Sequence, residues 1–98
     1  MIDSLFDNLA SHINDKTILV TGGTGTFGTE ITRIILLHYK PKKLIIFSRD
    51  EYKQFLMKQL FPESKYSNIR YFIGDIRELE RLTTATRNVD IIFHAAAM

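Results

Sequence analysis

The sequence predicts an α/β fold, a single parallel sheet doubly wound with helices on both faces, and three observations carry that reading. Short apolar runs recur at residues 17–21 (TILVT), 43–48 (KLIIFS), 69–73 (IRYFI) and 89–94 (VDIIFH). The segments between them have helical character, and strands alternating with helices argue for βαβ units. The runs are rich in Ile and Leu with few polar interruptions, as in strands covered on both faces. Right-handed crossovers leave few arrangements for such a chain, and a partial sheet of about four strands in the order 3-2-1-4 is the commonest.

The elements follow in order. Ile2, Leu5, Phe6, Leu9 and Ile13 stand at helical spacing, with Asp3 or Ser4 available as N-cap, which predicts an amphipathic helix within residues 1–15. Its apolar stripe is expected to cover the domain's own core or a subunit contact. A membrane-surface helix is the lesser reading, because the polar face carries Asp rather than Lys and Arg. Residues 16–98 form the second unit. Between the first two strands, Phe27, Ile31, Ile34, Ile35 and His38 mark one helical face, ended by Pro41. Between the second and third, Asp50 caps a helix with the expected inner face Tyr52, Phe55, Leu56, Leu60 and Phe61, stopped by Pro62. The third crossover, around Leu79, Leu82 and Ala85, is shorter and weaker.

Composition narrows the function. The chain has 98 residues, 45% of them hydrophobic, the size of one small domain or part of one. Thirteen basic residues against eleven acidic ones are scattered rather than striped, so nucleic acid is not the expected partner. With no cysteine, a disulfide framework, a thiolate metal site and a Cys nucleophile are all excluded. His12, His38 and His94 are far apart and make no metal-ligand spacing. There is no basic leader, and no apolar run approaches the roughly 20 residues of a bilayer span, so a soluble cytoplasmic protein is the plain expectation.

The densest signal is "TGGTGTFG" at residues 21–28. Gly23, Gly25 and Gly28 spell G-x-G-x-x-G, and Gly22, Gly25 and Gly28 the wider G-x-x-G-x-x-G, directly after the first strand and opening the first helix. A tight turn, backbone N–H groups open to a pyrophosphate, and close helix–sheet packing are the three demands of a dinucleotide site, and Gly22, Gly25 and Gly28 can meet them in turn. A glycine-rich turn that only turns is the rival. A P-loop is excluded, because Thr29 and Glu30 follow Gly28 where Lys and Ser/Thr would stand.

The tip of the second strand bears on which dinucleotide. An NAD site places an acid there, about 20 residues past the glycines, for the ribose 2′-hydroxyl, whereas a 2′-phosphate calls for Arg. The chain reads "FSRDEYK": Ser48 stands at the acid's place, Arg49 follows, and Lys53 lies one turn further on. NADP is favoured over NAD, against the plainer reading of solvated charges with Asp50 as a cap. In "GDIRE", Asp75 can accept from an adenine amino group with Ile76 against the ring, or Asp75 can simply cap the next helix. In "HAAAM", Ala95, Ala96 and Ala97 allow backbone close to a ribose and pyrophosphate, and would look the same as core alanines.

Together, "TGGTGTFG", "SRDEYK", "YFIGDIRELERL" and "VDIIFHAAA" resemble the start of the extended short-chain dehydrogenase/reductases that act on nucleotide sugars, most of all the inverting UDP-N-acetylglucosamine 4,6-dehydratases of bacterial polysaccharide and flagellin-sugar biosynthesis. The resemblance runs from Lys16 to Met98. It implies a Rossmann-type domain and an NADP-dependent lyase reaction: oxidation at the sugar C4, loss of water across C5 and C6, return of hydride to C6, and inversion at C5. It carries cofactor-binding roles onto Gly22, Thr24, Gly25, Thr26, Phe27 and Gly28, onto Ser48, Arg49, Asp50 and Lys53, onto Asp75 and Ile76, and onto Ala95, Ala96 and Ala97. It also implies a UDP-N-acetylglucosamine substrate and a homo-oligomer for full-length members.

The family's catalytic Tyr-x-x-x-Lys lies beyond Met98. Tyr39 and Lys43 have its spacing, but Pro41 between them breaks the helix that the pair needs, so no catalytic residue is expected in this chain. The chain therefore reads as the N-terminal piece of an enzyme. Another nucleotide-sugar epimerase or reductase, or a non-catalytic dinucleotide sensor, are the alternatives.

Overall fold

The computed structural model describes residues 9–95. Four parallel strands, β1 (Thr17–Thr21), β2 (Lys43–Ser48), β3 (Ile69–Ile73) and β4 (Ile91–His94), form one sheet in the order β3-β2-β1-β4. The register pairs Thr17 with Lys43 and Thr21 with Phe47 on one side of β1, and Ile18 with Ile91 and Thr21 with His94 on the other. The first three strands have the predicted bounds. The fourth starts two residues late because Asp90 does other work: its carboxylate accepts from the Thr17 amide at 2.9 Å, and Val89 turns into the core.

Three helices connect the strands: α1 (Thr26–His38), α2 (Glu51–Leu60) and α3 (Leu79–Ala85). Alternate strand residues divide the core in two. Ile18, Val20, Leu44, Ile46 and Ile69 pack with Ile35 and Tyr39 at the end of α1 and with Met57 and Phe61 at the end of α2. Leu19, Ile45 and Phe47 pack on the opposite face with Leu82 and Ala85 of α3. Helices thus cover both faces, as the sequence predicts.

The two long helices bury only part of the faces expected: Ile35 and Phe61 are in the core and Ile31 packs against it, but the rest is rotated outward. In α1 the buried residues are Gly28, Thr32 and Ile35, while Phe27, Ile34 and His38 are exposed. The helix approaches the β1 end too closely for large side chains, and Thr32 tucks in by donating to the Gly28 carbonyl at 2.9 Å. In α2 the buried residues are Gln54 and Met57, continued by Phe61, while Tyr52, Phe55, Leu56 and Leu60 are exposed. Gln54 is inside because its Nε2 donates to the carbonyls of Ser48 and Phe72, at 3.2 and 3.1 Å, tying β2 to β3 where the ladder ends. Both helices stop just before the prolines: Tyr39 and Phe61 are the C-caps.

Of the expected N-terminal helix, residues 9–13 are helical and Ile13 is buried in the α1–α2 side of the core. Ile2, Leu5 and Phe6 lie outside the described residues. No helix among the described residues is long and apolar enough to cross a membrane.

Candidate cofactor site

At the C-terminal ends of the strands lies a cleft of about 820 Å³, where an open parallel sheet binds its ligands. Each strand contributes the segment that leaves it.

From β1 comes the glycine loop. Gly22 has φ 63°, the left-handed turn that lets the chain reverse from strand to helix, and its carbonyl accepts from the Gly25 amide at 3.1 Å. The Gly23 amide donates to the Phe47 carbonyl at 3.2 Å, so the loop is tied to β2. A Cβ on Gly28 would stand 2.6 Å from both the Gly22 oxygen and the Gly23 Cα. That contact requires glycine if α1 is to approach the loop. A Cβ on Gly25 would meet only the Gly22 oxygen, at 3.4 Å, so its bare backbone leaves room on the cleft side rather than relieving a clash. Gly25 is the N-cap of α1, with no side-chain cap and no acid in the first turn. The positive end of a 13-residue helix therefore faces the cleft with no carboxylate in its own first turn.

From β2 come Phe47, Ser48, Arg49 and Asp50, with Lys53 in the first turn of α2. Ser48 is buried, and its Oγ lies 2.8 Å from the Thr24 Oγ1 of the glycine loop and accepts from the Asp50 amide at 3.2 Å. Asp50 caps α2, accepting from the Lys53 amide at 3.0 Å. Arg49 is exposed.

From β3 come Gly74 to Arg77. Asp75 does not cap α3, whose N-cap is Glu78. Instead it receives a fork from Arg77, whose Nη2 donates to Oδ2 at 2.7 Å and whose amide donates to Oδ1 at 2.9 Å. An Arg49 nitrogen stands 3.6 Å from the same Oδ2. Hydrogen bonds from the Arg77 side chain, then its amide, and last the charge of Arg49 hold the Asp75 carboxyl well below the usual carboxylate range. From the end of β4 comes Ala95, whose amide donates to the Thr21 carbonyl at 2.9 Å.

The cleft thus brings together Gly22, Thr24, Gly25, Thr26, Phe27, Ser48, Arg49, Asp50, Lys53, Asp75, Ile76 and Ala95 of the expected site residues. Gly28 is not on its wall but buried behind it. Ala96 and Ala97 lie outside the described residues. Phe47, Gly74 and Arg77 line the cleft without having been singled out. Arg77 was legible as the cation next to Asp75-Ile76 in "GDIRE", and Gly74 as the residue a Cβ would push to 2.9 Å from the Phe47 ring only once the fold is known. Tyr39 and Lys43 are excluded from this site by position: Tyr39 is buried in the core, and Lys43 begins β2 at the end of the strand away from the cleft.

Residues 18–98 match the family model described as polysaccharide biosynthesis protein. The chain is 55% identical over 85 residues to a UDP-N-acetylglucosamine 4,6-dehydratase (inverting) of Campylobacter jejuni, covering 87% of this chain and 25% of the relative. It is 40% identical over 87 residues to a UDP-glucose 4-epimerase of Rickettsia akari, covering 86% and 25%. Among solved structures, Pen from Bacillus thuringiensis superposes with a TM-score of 0.81 at 49% identity, over 88% of this chain and 27% of that one. An NADPH-bound carbonyl reductase from chicken fatty liver shares the fold, with a TM-score of 0.66 at 18% identity over 91% of this chain and 38% of that one. The chain spans about a quarter of the length of the curated relatives it matches.

Proposed function

Because the chain belongs to the polysaccharide biosynthesis protein family, we propose that its cleft holds NADP and that it is the cofactor-binding portion of a nucleotide-sugar dehydratase, a C5-inverting UDP-N-acetylglucosamine 4,6-dehydratase. The relative at 55% identity bears that name. The observation that carries the cofactor choice is the tip of β2: a hydroxyl at Ser48, then Arg49, with Lys53 one turn on and the neighbouring acid, Asp50, engaged as a helix cap. A 2′-phosphate is attracted by the two cations and meets no free carboxylate on this strand tip.

The rest of the cleft suits the remaining parts of the dinucleotide. The uncapped start of α1 and the bare Gly25 backbone suit a pyrophosphate, and Ile76 supplies an apolar wall for an adenine ring. Bound there, NADP would supply the capacity to accept a hydride and give it back. The residues of this chain bind and orient it; the acid and base groups of the dehydration are proposed to lie in the part of the relatives that this chain does not span. The division into a helical segment, 1–15, and a nucleotide-binding portion, 16–98, the cytoplasmic setting, and a homo-oligomer for the full-length protein belong to the same proposal. The 40% identity to 4-epimerases favours, as a second reading, the same cofactor role in sugar epimerisation.

Isothermal titration of the chain with NADP and NAD tests the cofactor reading, with NADP expected to bind at least about tenfold tighter, the scale of one charge-assisted contact. Equal affinities, or no binding of either, would refute it. Incubation with UDP-N-acetylglucosamine and NADP is expected to give no turnover; a dehydrated product would refute the assignment of the catalytic groups to another part of the protein.

A further inference from the structure

A hydroxyl donates one hydrogen bond and accepts two. The Ser48 Oγ accepts from the Asp50 amide at 3.2 Å, and an amide can only donate. Its second neighbour is the Thr24 Oγ1 at 2.8 Å, contributed by the glycine loop from 24 residues earlier in the chain. The strand end that carries Ser48 is fixed, because its carbonyl receives both the Gln54 side chain at 3.2 Å and the Gly74 amide at 3.0 Å. Ser48 is only 6% exposed and lies on the wall of the cleft with Arg49 and Lys53.

The Thr24–Ser48 pair has two polarities. With Ser48 donating, its proton is spent on Thr24 and the cleft receives nothing. With Thr24 donating, both lone pairs of Ser48 are filled and its proton has only the cleft left to serve. A phosphate monoester, which accepts at every oxygen, selects the second polarity; a ribose hydroxyl, which brings a proton of its own, gains less from it.

We propose that Thr24 is a specificity-determining residue for the 2′-phosphate: by donating to Ser48 it makes the Ser48 hydroxyl an obligate donor toward that phosphate. This rests on the NADP reading and goes beyond it, since it moves part of the discrimination from the cations at the strand tip to a residue of the glycine loop. The two parts respond differently to salt. The attraction of exposed Arg49 and Lys53 is screened when the Debye length falls to about 3 Å at about 1 M salt, whereas a hydrogen bond from a buried hydroxyl is not.

The test is titration of the 98-residue chain and its variants with NADP and NAD, each variant checked for folding by far-UV circular dichroism. Thr24→Val is expected to lower the ratio of NADP to NAD affinity about tenfold, the weight of one hydrogen bond to a charged acceptor, and to do so at low salt and at about 1 M salt alike. Thr24→Ser is expected to restore the ratio. In a Ser48→Ala background, Thr24→Val is expected to change it less than about twofold, because the relay is already gone. Equal losses for both dinucleotides, or an undiminished Thr24→Val effect in the Ser48→Ala background, would overturn the inference while leaving the NADP reading standing. A wild-type chain with no preference for NADP overturns that reading and the inference with it. Should Thr24→Val fail to fold, Thr24→Ala carries the same expectations.

Discussion

Replacing Gly28 by alanine pits two well-measured tendencies against each other. Alanine is the best helix former, and in an exposed helix interior the change from glycine adds about 1 kcal/mol of stability. At this position the new Cβ would lie 2.6 Å from the Gly22 oxygen, 2.6 Å from the Gly23 Cα and 2.8 Å from the Gly23 carbonyl carbon. All three are backbone atoms, and the loop that carries them is pinned to β2 through the Gly23 amide. No flexible side chain is available to give way, so α1 must withdraw by roughly 1 Å and loosen Thr32 and Ile35, which are buried behind it. Overpacking of this kind costs about 1–3 kcal/mol, and with backbone on both sides the upper end applies. Subtracting the propensity gain leaves a net loss of about 2 kcal/mol, or roughly 10 °C in Tm for a domain of this size. Urea and thermal unfolding followed by circular dichroism measure it. A Gly28→Ala chain as stable as the wild type, or more stable, would show that the close approach of helix and loop is not a constraint.

Gly25→Ala should behave in the opposite way: its Cβ meets only the Gly22 oxygen at 3.4 Å, so folding stability should fall by less than about 1 kcal/mol while NADP titration shows at least about a tenfold loss of affinity. The double variant Arg49→Ala/Lys53→Ala should weaken NADP binding strongly at low salt and by much less at about 1 M salt, with NAD titrations little changed at either. Burial, with a smaller push from Glu63, raises the Tyr71 phenol above its ordinary value, and its hydroxyl donates to the Phe61 carbonyl at 2.7 Å. The folded pKa is thus the higher one, so this contribution is complete below about pH 10 and is lost as the pH rises further; Tyr71→Phe should flatten the alkaline limb of stability against pH. Asp75 has the opposite sign: its carboxyl is depressed in the fold, so its contribution is present above about pH 4 and lost as acid protonates it, and Asp75→Asn should remove that part of the acid limb.

β1 and β2 were readable in the sequence because a covered parallel strand is a run of Ile, Leu, Val and Phe, and the half-buried edge strands β3 and β4 because their apolar runs alternate with helical segments. The helix caps at Asp50 and the stops before Pro41 and Pro62 were readable for the same kind of local reason. The rotation of the helices was not. Hydropathy points Phe27 and Ile34 inward, yet α1 turns Gly28 and Thr32 to the sheet because the glycine loop leaves no space for more. Hydropathy likewise points Phe55 and Leu56 inward, yet α2 turns Gln54 in, since two strand carbonyls need a donor there. Both are tertiary demands that no period in the sequence announces. The cleft inherited the legible part: its wall comes from strand ends and turns, where residue type and position are tightly linked. What remained hidden was pairing across segments, such as the Thr24 to Ser48 contact and the approach of Arg49 to Asp75.

The central strand has a further consequence for how the chain is made. β1 leaves the ribosome well before β4, yet its partners on one side are β4 residues, and the contacts of Thr17 with Asp90 and Thr21 with His94 each span 73 positions. At a synthesis rate of about 5–20 residues per second, β1 waits roughly 4 to 15 s with that edge unpaired. During this interval the β4-facing edge of the Ile18, Leu19 and Val20 run can be matched only by some other strand. The nascent polypeptide is therefore most vulnerable to mispairing and to chaperone capture before residue 91 emerges, and slowing translation upstream of that point should lower the soluble yield.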